Sequence, residues 1–339
     1  MDSTSTSIPA DPSPSVAANE PSAPIADLTY RNYDGPLHSR AVRWWTIAFA
    51  MFKLHTKPLT FKIVAALAVI PYLFIIVILW FQDQFFSANN GKQITSVLSA
   101  YMDNTVGQKY AIQFYNALGY QLLYLVILTL IAGAGSIASD NRSNALLIYL
   151  SKSITKTDYL LGKWFGLFLT LFMVAFGPAL LLYFFCLVSY TGDGFLHDEP
   201  RLFLHVVEST AITSAVFTSV MIGLSAWSKS PRVIGAVLAG IYFAGQIVSV
   251  AVWAALSRGN LNKNVVVLHS SIGGMLSGLT QGIYGITFHL IRFRHHSREV
   301  IPTDVAPPPG SIMWSIAFAL IVGGIFAARA KVRAVEVIS

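Results

Sequence analysis

Asp, Glu, Lys, Arg and His are missing from the interiors of six long apolar runs in this chain. Proton-driven carriers and intramembrane hydrolases depend on an ionisable or metal-binding side chain at membrane depth, so buried proton coupling has no carrier here. The nearest candidates, Asp83, His205 and Glu208, fall at the expected membrane boundaries. Only a sodium site built from carbonyls and hydroxyls would escape this exclusion. Cysteine is almost as scarce: Cys186 stands alone inside an apolar run, which rules out a disulfide framework and reads as a core thiol. A phosphate-binding loop is missing too. Its Gly-rich turn must end in Gly-Lys-Ser/Thr, whereas Gly91-Lys92 is followed by Gln93 and Gly162-Lys163 by Trp164. His197, Asp198, Glu199 and His205 have no compact metal-ligand spacing and read as a solvated acidic loop, while His295 and His296 sit in a basic cluster. With no acid, base and nucleophile set, the chain is not expected to be an enzyme.

What is present is apolar surface. Of 339 residues, 54% are apolar and 12% charged, against roughly 25% charged in soluble domains. Six runs, near 63–82, 114–139, 164–191, 209–228, 233–257 and 311–328, meet the roughly 20 residues a helix needs to cross a bilayer. At that depth the backbone must satisfy itself, which continuous runs do only as helices. The pattern predicts an all-α integral membrane protein with six transmembrane helices. Residues 1–38, rich in Ser, Thr, Pro and Ala, read as a disordered tail without the apolar stretch of a signal peptide. Residues 39–339 form the membrane domain. The net charge of +7 comes from Lys and Arg clustered at the ends of apolar runs, which orients a membrane protein and leaves no patch for nucleic acid. Most of them gather on one side, placing both termini in the cytoplasm.

Residues 39–57, with Trp44, Ile47, Ala48 and Met51 at helical spacing beside Arg40, Arg43 and Lys53, predict an amphipathic helix in the headgroup plane, ended by Pro58. A plain basic and aromatic anchor is the alternative. Residues 265–298 include a Gly-rich stretch, 265–290, that reads as re-entrant or interfacial helices on the outer side. A seventh span is the alternative there. The connection 139–158 between spans two and three carries Leu146, Leu147, Tyr149, Leu150 and Ile154. Ser139 or Asp140 is expected to cap a short helix through Tyr149, and Thr157 or Asp158 to cap the third span. An apolar face on such a loop suits a partner's groove, or packs against its own bundle.

The run Ser139-Asp-Asn-Arg-Ser-Asn-Ala-Leu146, then Tyr149-Leu-Ser-Lys-Ser-Ile-Thr155, then Asp158-Tyr-Leu-Leu-Gly-Lys163 resembles the permease subunits of ABC transporters in the type 2 exporter membrane-domain family. The layout is similar as well: an amphipathic helix, six spans, and outer re-entrant helices between spans five and six. Here Asp140 stands where Glu is commoner. The resemblance implies a coupling helix seated on a separate ATPase, with Asp140, Asn141, Arg142, Ser143, Leu146, Leu147 and Leu150 as the ATPase-coupling residues. It implies a dimer of permease copies, homomeric or heteromeric, in the plasma (inner) membrane among membrane lipids. ATP and Mg would be bound by the partner ATPase and the permease itself would hold no cofactor. Leu276-Ser-Gly-Leu-Thr-Gln281 echoes an ABC ATPase signature by coincidence, on the outer side. Gln121, Tyr124, Tyr242 and Gln246 are polar residues within the spans that either line a substrate path or make interhelical hydrogen bonds. The expected function is ATP-driven export through a permease subunit. The alternative is a non-transporting assembly protein that docks a cytosolic partner.

Overall fold

A computed structural model describes residues 42–88, 110–145, 154–192, 194–257, 263–293, 300–305 and 307–332, all within one compact unit, Ser39–Ser339. The 1–38 tail lies outside the described residues, as do Leu146, Leu147 and Leu150. Among the described residues, twelve helices follow in order: α1 Arg43–His55, α2 Leu59–Leu67, α3 Ile70–Ala88, α4 Ala111–Gly133, α5 Ala138–Arg142, α6 Lys156–Tyr190, α7 Phe195–Asp198, α8 Leu202–Ala226, α9 Pro231–Ser257, α10 Val265–Leu268, α11 Ile272–Tyr284 and, after a hairpin, α12 Gly310–Lys331. Six helical stretches among the described residues are long and apolar enough to cross a membrane: Leu59–Phe81, Ala111–Arg142, Lys156–Tyr190, Leu202–Ala226, Pro231–Ser257 and Gly310–Lys331. These are the six expected spans. Several run past the apolar stretch, and the third, with 35 residues, is about 52 Å long at 1.5 Å per residue. The charge-free description therefore holds for the middle of the bundle but not for the helices as built, since the second and third carry Asp140 and Lys163.

Between the fifth and sixth spans the chain departs in part from the expected helices. Helix α11 has 13 residues, about 20 Å, too short to cross a hydrocarbon core of about 30 Å. A seventh span is excluded. The helix stops at Gly285, whose φ of +66 is open to glycine without penalty. The backbone then extends, and β1 (Phe288–Phe293) pairs antiparallel with β2 (Val300–Val305), with Phe288 opposite Val305. Helical character expected as far as 290 thus gives way to a two-stranded hairpin.

Two prolines explain how the bundle is tied at mid-depth. Pro178 lies inside the third span and has no N–H for the carbonyl four residues earlier, that of Val174. The first span breaks between α2 and α3, ahead of Pro71, where the Tyr72 amide bonds to the Val69 carbonyl instead of that of Ala68. Gln121, fully buried on the second span, answers both: its Nε2 donates to the Val174 carbonyl at 3.0 Å and to the Ala68 carbonyl at 3.2 Å. Its Oε1 accepts from the Tyr72 hydroxyl at 3.3 Å. One side chain thereby repairs the backbone of two neighbouring spans.

Candidate functional site

The end of the bundle where the second span finishes and the third begins concentrates its polar contacts. Thr155 opens the third span with a reciprocal cap: its hydroxyl accepts from the Asp158 amide at 3.1 Å, while the Asp158 carboxylate accepts from the Thr155 amide at 3.3 Å. The cap is Thr155, two residues before the earliest expected position, with Asp158 three residues on as its partner. One turn further, Tyr159 and Lys163 share a helix face at a spacing of four. Both reach back to Asp140. The Tyr159 hydroxyl donates to Asp140 Oδ2 at 2.6 Å, and the Lys163 ammonium lies 2.8 Å from the same oxygen. Lys163 and Asp140 side chains are only 8% and 16% exposed, so each charge depends on the other for compensation.

Span four completes the junction. Ser225 Oγ accepts from the amides of Ile137 and Ala138 at 3.0 and 3.1 Å and donates to the Ala134 carbonyl at 3.0 Å. These are the groups that the break between α4 and α5 leaves without helical partners. Asn141 Nδ2 donates to the Ala226 carbonyl at 3.1 Å. Ser139 or Asp140 was expected to cap a helix running through Tyr149, whereas the described helix already starts at Ala138. The structure gives its capping to Ser225, 87 residues from Ala138, a partner that no local pattern reveals. Helix α5 ends at Arg142, and Asn144 has a positive φ of 55 that turns the chain away. Asp140 and Asn141 therefore face inward and brace three spans. Arg142 and Ser143 are exposed at the tip.

The same end of the third span holds α1. Gly162 and Gly166, four residues apart, let it approach until an added Cβ would stand 2.9 Å from the Trp44 carbonyl and 2.8 Å from the Ala48 carbonyl. One turn on, Thr170 gives its hydroxyl hydrogen to the Gly166 carbonyl at 2.7 Å and meets His55 Nδ1 at 3.3 Å, so Nδ1 is the donor of that pair. Burial, then the nearby Lys163 ammonium, pushes the His55 imidazole down to about 4, leaving it neutral at pH 7. Contacts advance in the same direction along both helices, from Trp44 at Gly162 to His55 at Thr170. Expected to lie in the headgroup plane, α1 is seated along span three by a small-residue face. The Gly162-x-x-x-Gly166 spacing was the available signal.

Residues 46–281, well over half the chain, match the family model described as ABC-2 family transporter protein. The chain belongs to the ABC-2 transporter family. No curated protein matches it. The match starts within α1 and closes within α11, so it covers the whole junction around Asp140. Together with six spans, it makes this protein a multi-pass membrane protein and the transmembrane permease component of an ABC transporter.

Within the permease, the polar span residues separate. Gln121 is wholly committed to Ala68, Val174 and Tyr72. Tyr242 and Gln246, half-buried on the fifth span, meet the start of α11: Gln246 Oε1 accepts from the Ser271 hydroxyl at 2.6 Å, and Ser271 in turn caps that helix through the Gly274 amide at 3.0 Å. Tyr124 is half-buried on the second span. Replacing Gln121 by Leu leaves both carbonyls without a donor and is expected to destabilise the permease by about 1–2 kcal/mol, read as a lowered Tm of the detergent-purified protein. At the opposite end, Glu199, expected as part of a solvated loop, is half-buried. Its Oε1 accepts from the Tyr110 and Ala111 amides at 3.2 and 3.1 Å, stapling the α7–α8 connection to the first turn of span two. Burial outweighs those bonds and pushes its carboxyl up.

Proposed function

We propose that this permease is the membrane half of an ATP-driven exporter, working as a dimer with two copies of a separate cytosolic ABC ATPase. ATP and Mg belong to that ATPase. The observation that carries the reading is the contrast at one end of the bundle: an inward brace of Asp140, Asn141, Tyr159, Lys163 and Ser225 directly beneath an exposed Arg142-Ser143-Asn144 tip. A loop on flexible ends would absorb a push from a partner. A loop whose root is fastened to spans two, three and four passes it on. Closure of the ATPases presses on the tip and on the Leu146, Leu147 and Leu150 that follow it, and the three fastened helices move as a unit. The excess of Lys and Arg at this end supports its placement in the cytoplasm, with both termini there and α10, α11 and the hairpin outside; the proposed exporter works in the plasma (inner) membrane.

Changing exposed Arg142 to Asp reverses charge at the tip without touching a buried contact. Co-purification of the ATPase is expected to fall on the order of tenfold or more, with the permease's Tm unchanged. Undiminished ATPase retention by R142D and L146D would remove the coupling role from this loop. Transport in vesicles that continues without ATP hydrolysis would defeat the exporter reading outright. ATPase binding with no ATP-dependent transport would leave a docking protein.

A further inference from the structure

Beside the brace, where spans three, four and six meet, a groove of about 130 Å³ opens. Its floor is apolar, with Leu160, Leu161, Trp164 and Ile325, and two cations, Lys156 and Arg329, stand on its wall. Both are exposed, and neither is in an ion pair among the described residues. The nearby Asp158 carboxylate is occupied with the Thr155 amide and hydroxyl. Trp164 is held in place by donating from Nε1 to Ser219 Oγ on span four at 2.8 Å. From it a stack of half-buried rings climbs span three one turn at a time: Trp164 on Phe168 at 5.1 Å, Phe168 on Phe172 at 5.7 Å, and Phe172 on Phe176 at 5.2 Å, with interplanar angles of 6, 12 and 7°. Phe176 then meets Phe203 on span four at 6.4 Å. The stack therefore follows the seam between spans three and four.

We propose that this groove is a binding site for one anionic phospholipid, with its phosphate between Lys156 and Arg329 and an acyl chain along the Trp164–Phe176 stack. Charge complementarity selects the head. Geometry selects the tail: twelve residues of helix rise about 18 Å, close to the roughly 15 Å of one hydrocarbon leaflet. A free anion would use the two cations but not the ring stack, and an apolar partner helix would use the stack but leave the cations without a counter-charge. The lipid thus bridges the third and sixth spans at the end where the third joins the brace.

Native mass spectrometry of the purified permease with phosphatidylglycerol and phosphatidylcholine of equal chain length tests the head. The wild type is expected to retain one phosphatidylglycerol in preference, and K156Q/R329Q to lose that preference on the order of tenfold, while K53Q/K57Q keeps it. A preference equal in all three proteins overturns the site, as does its displacement by millimolar inorganic phosphate. The tail is read separately and does not depend on the double variant folding. Phosphatidylglycerol brominated on its acyl chain is expected to quench tryptophan fluorescence in the wild type more than in W164F, and equal quenching also overturns the proposal.

Discussion

Gly324→Ala is expected to abolish accumulation of folded permease, whereas Gly323→Ala, one residue away, leaves it intact. The two glycines look alike in sequence but differ in what stands opposite. A methyl group at Gly323 has nothing within 4 Å, while one at Gly324 would overlap the main-chain carbonyl of Ser219 on span four. From the other side, a Cβ at Gly223 would stand 3.0 Å from both the Cα and the carbonyl oxygen of Gly324. Spans four and six therefore cross with backbone against backbone, the arrangement that small residues permit inside membranes. Overpacking costs about 1–3 kcal/mol where side chains can yield. A carbonyl fixed in a buried helix cannot yield, so the two spans must separate and the cost exceeds that range. Span four makes this severe, because it also carries Ser225 and Ser219, which hold the brace and Trp164. Size-exclusion profiles of both variants from detergent extracts measure the difference. Indistinguishable monodisperse peaks would show that this crossing is not as tight as described.

That contrast marks the limit of what sequence shows in such a chain. Span number and type were readable, because bilayer thickness and backbone hydrogen bonding leave one solution for a long apolar run. Helix ends were not, because apolar composition stops where the hydrocarbon stops, while the helices of spans two and three continue to Arg142 and back to Lys156. The loop that carries Asp140 to Ser143 was also readable, through the polar break between two apolar runs. Its internal division was not: that Asp140 and Asn141 turn inward while Arg142 turns outward depends on Tyr159, Lys163 and Ala226. Gln121 shows the same limit. Nothing near it in sequence indicates that Pro178 and the first-span break leave the Val174 and Ala68 carbonyls, each 53 residues away, for its amide. Polar residues in spans carry a signal of need but not of which need.

Neutralising one member of the Asp140–Lys163 pair is expected to damage the permease far more than neutralising both. Asp140→Asn leaves a buried ammonium, and Lys163→Met a buried carboxylate, each at a cost of about 3–5 kcal/mol. In the double variant D140N/K163M no charge remains to desolvate, the amide oxygen still accepts from the Tyr159 hydroxyl, and stability should return to within about 1–2 kcal/mol of the wild type. Thermal melts of the four proteins close the cycle, and additive losses would show that the two groups do not rely on each other. The double variant then separates two roles. If the pair only fastens span two to span three, the refastened neutral junction exports normally. If the junction transmits the push from the ATPase, its stiffness matters in every cycle. An ion pair at 2.8 Å held between helices resists separation more strongly than an amide beside a thioether. D140N/K163M is then expected to fold, bind the ATPase through an unaltered Arg142 tip, and hydrolyse ATP with reduced transport per ATP. Full coupling in a folded double variant would reduce the pair to a staple and move transmission to the uncharged ties among the described residues: Tyr159 to residue 140, Ser225 and Asn141.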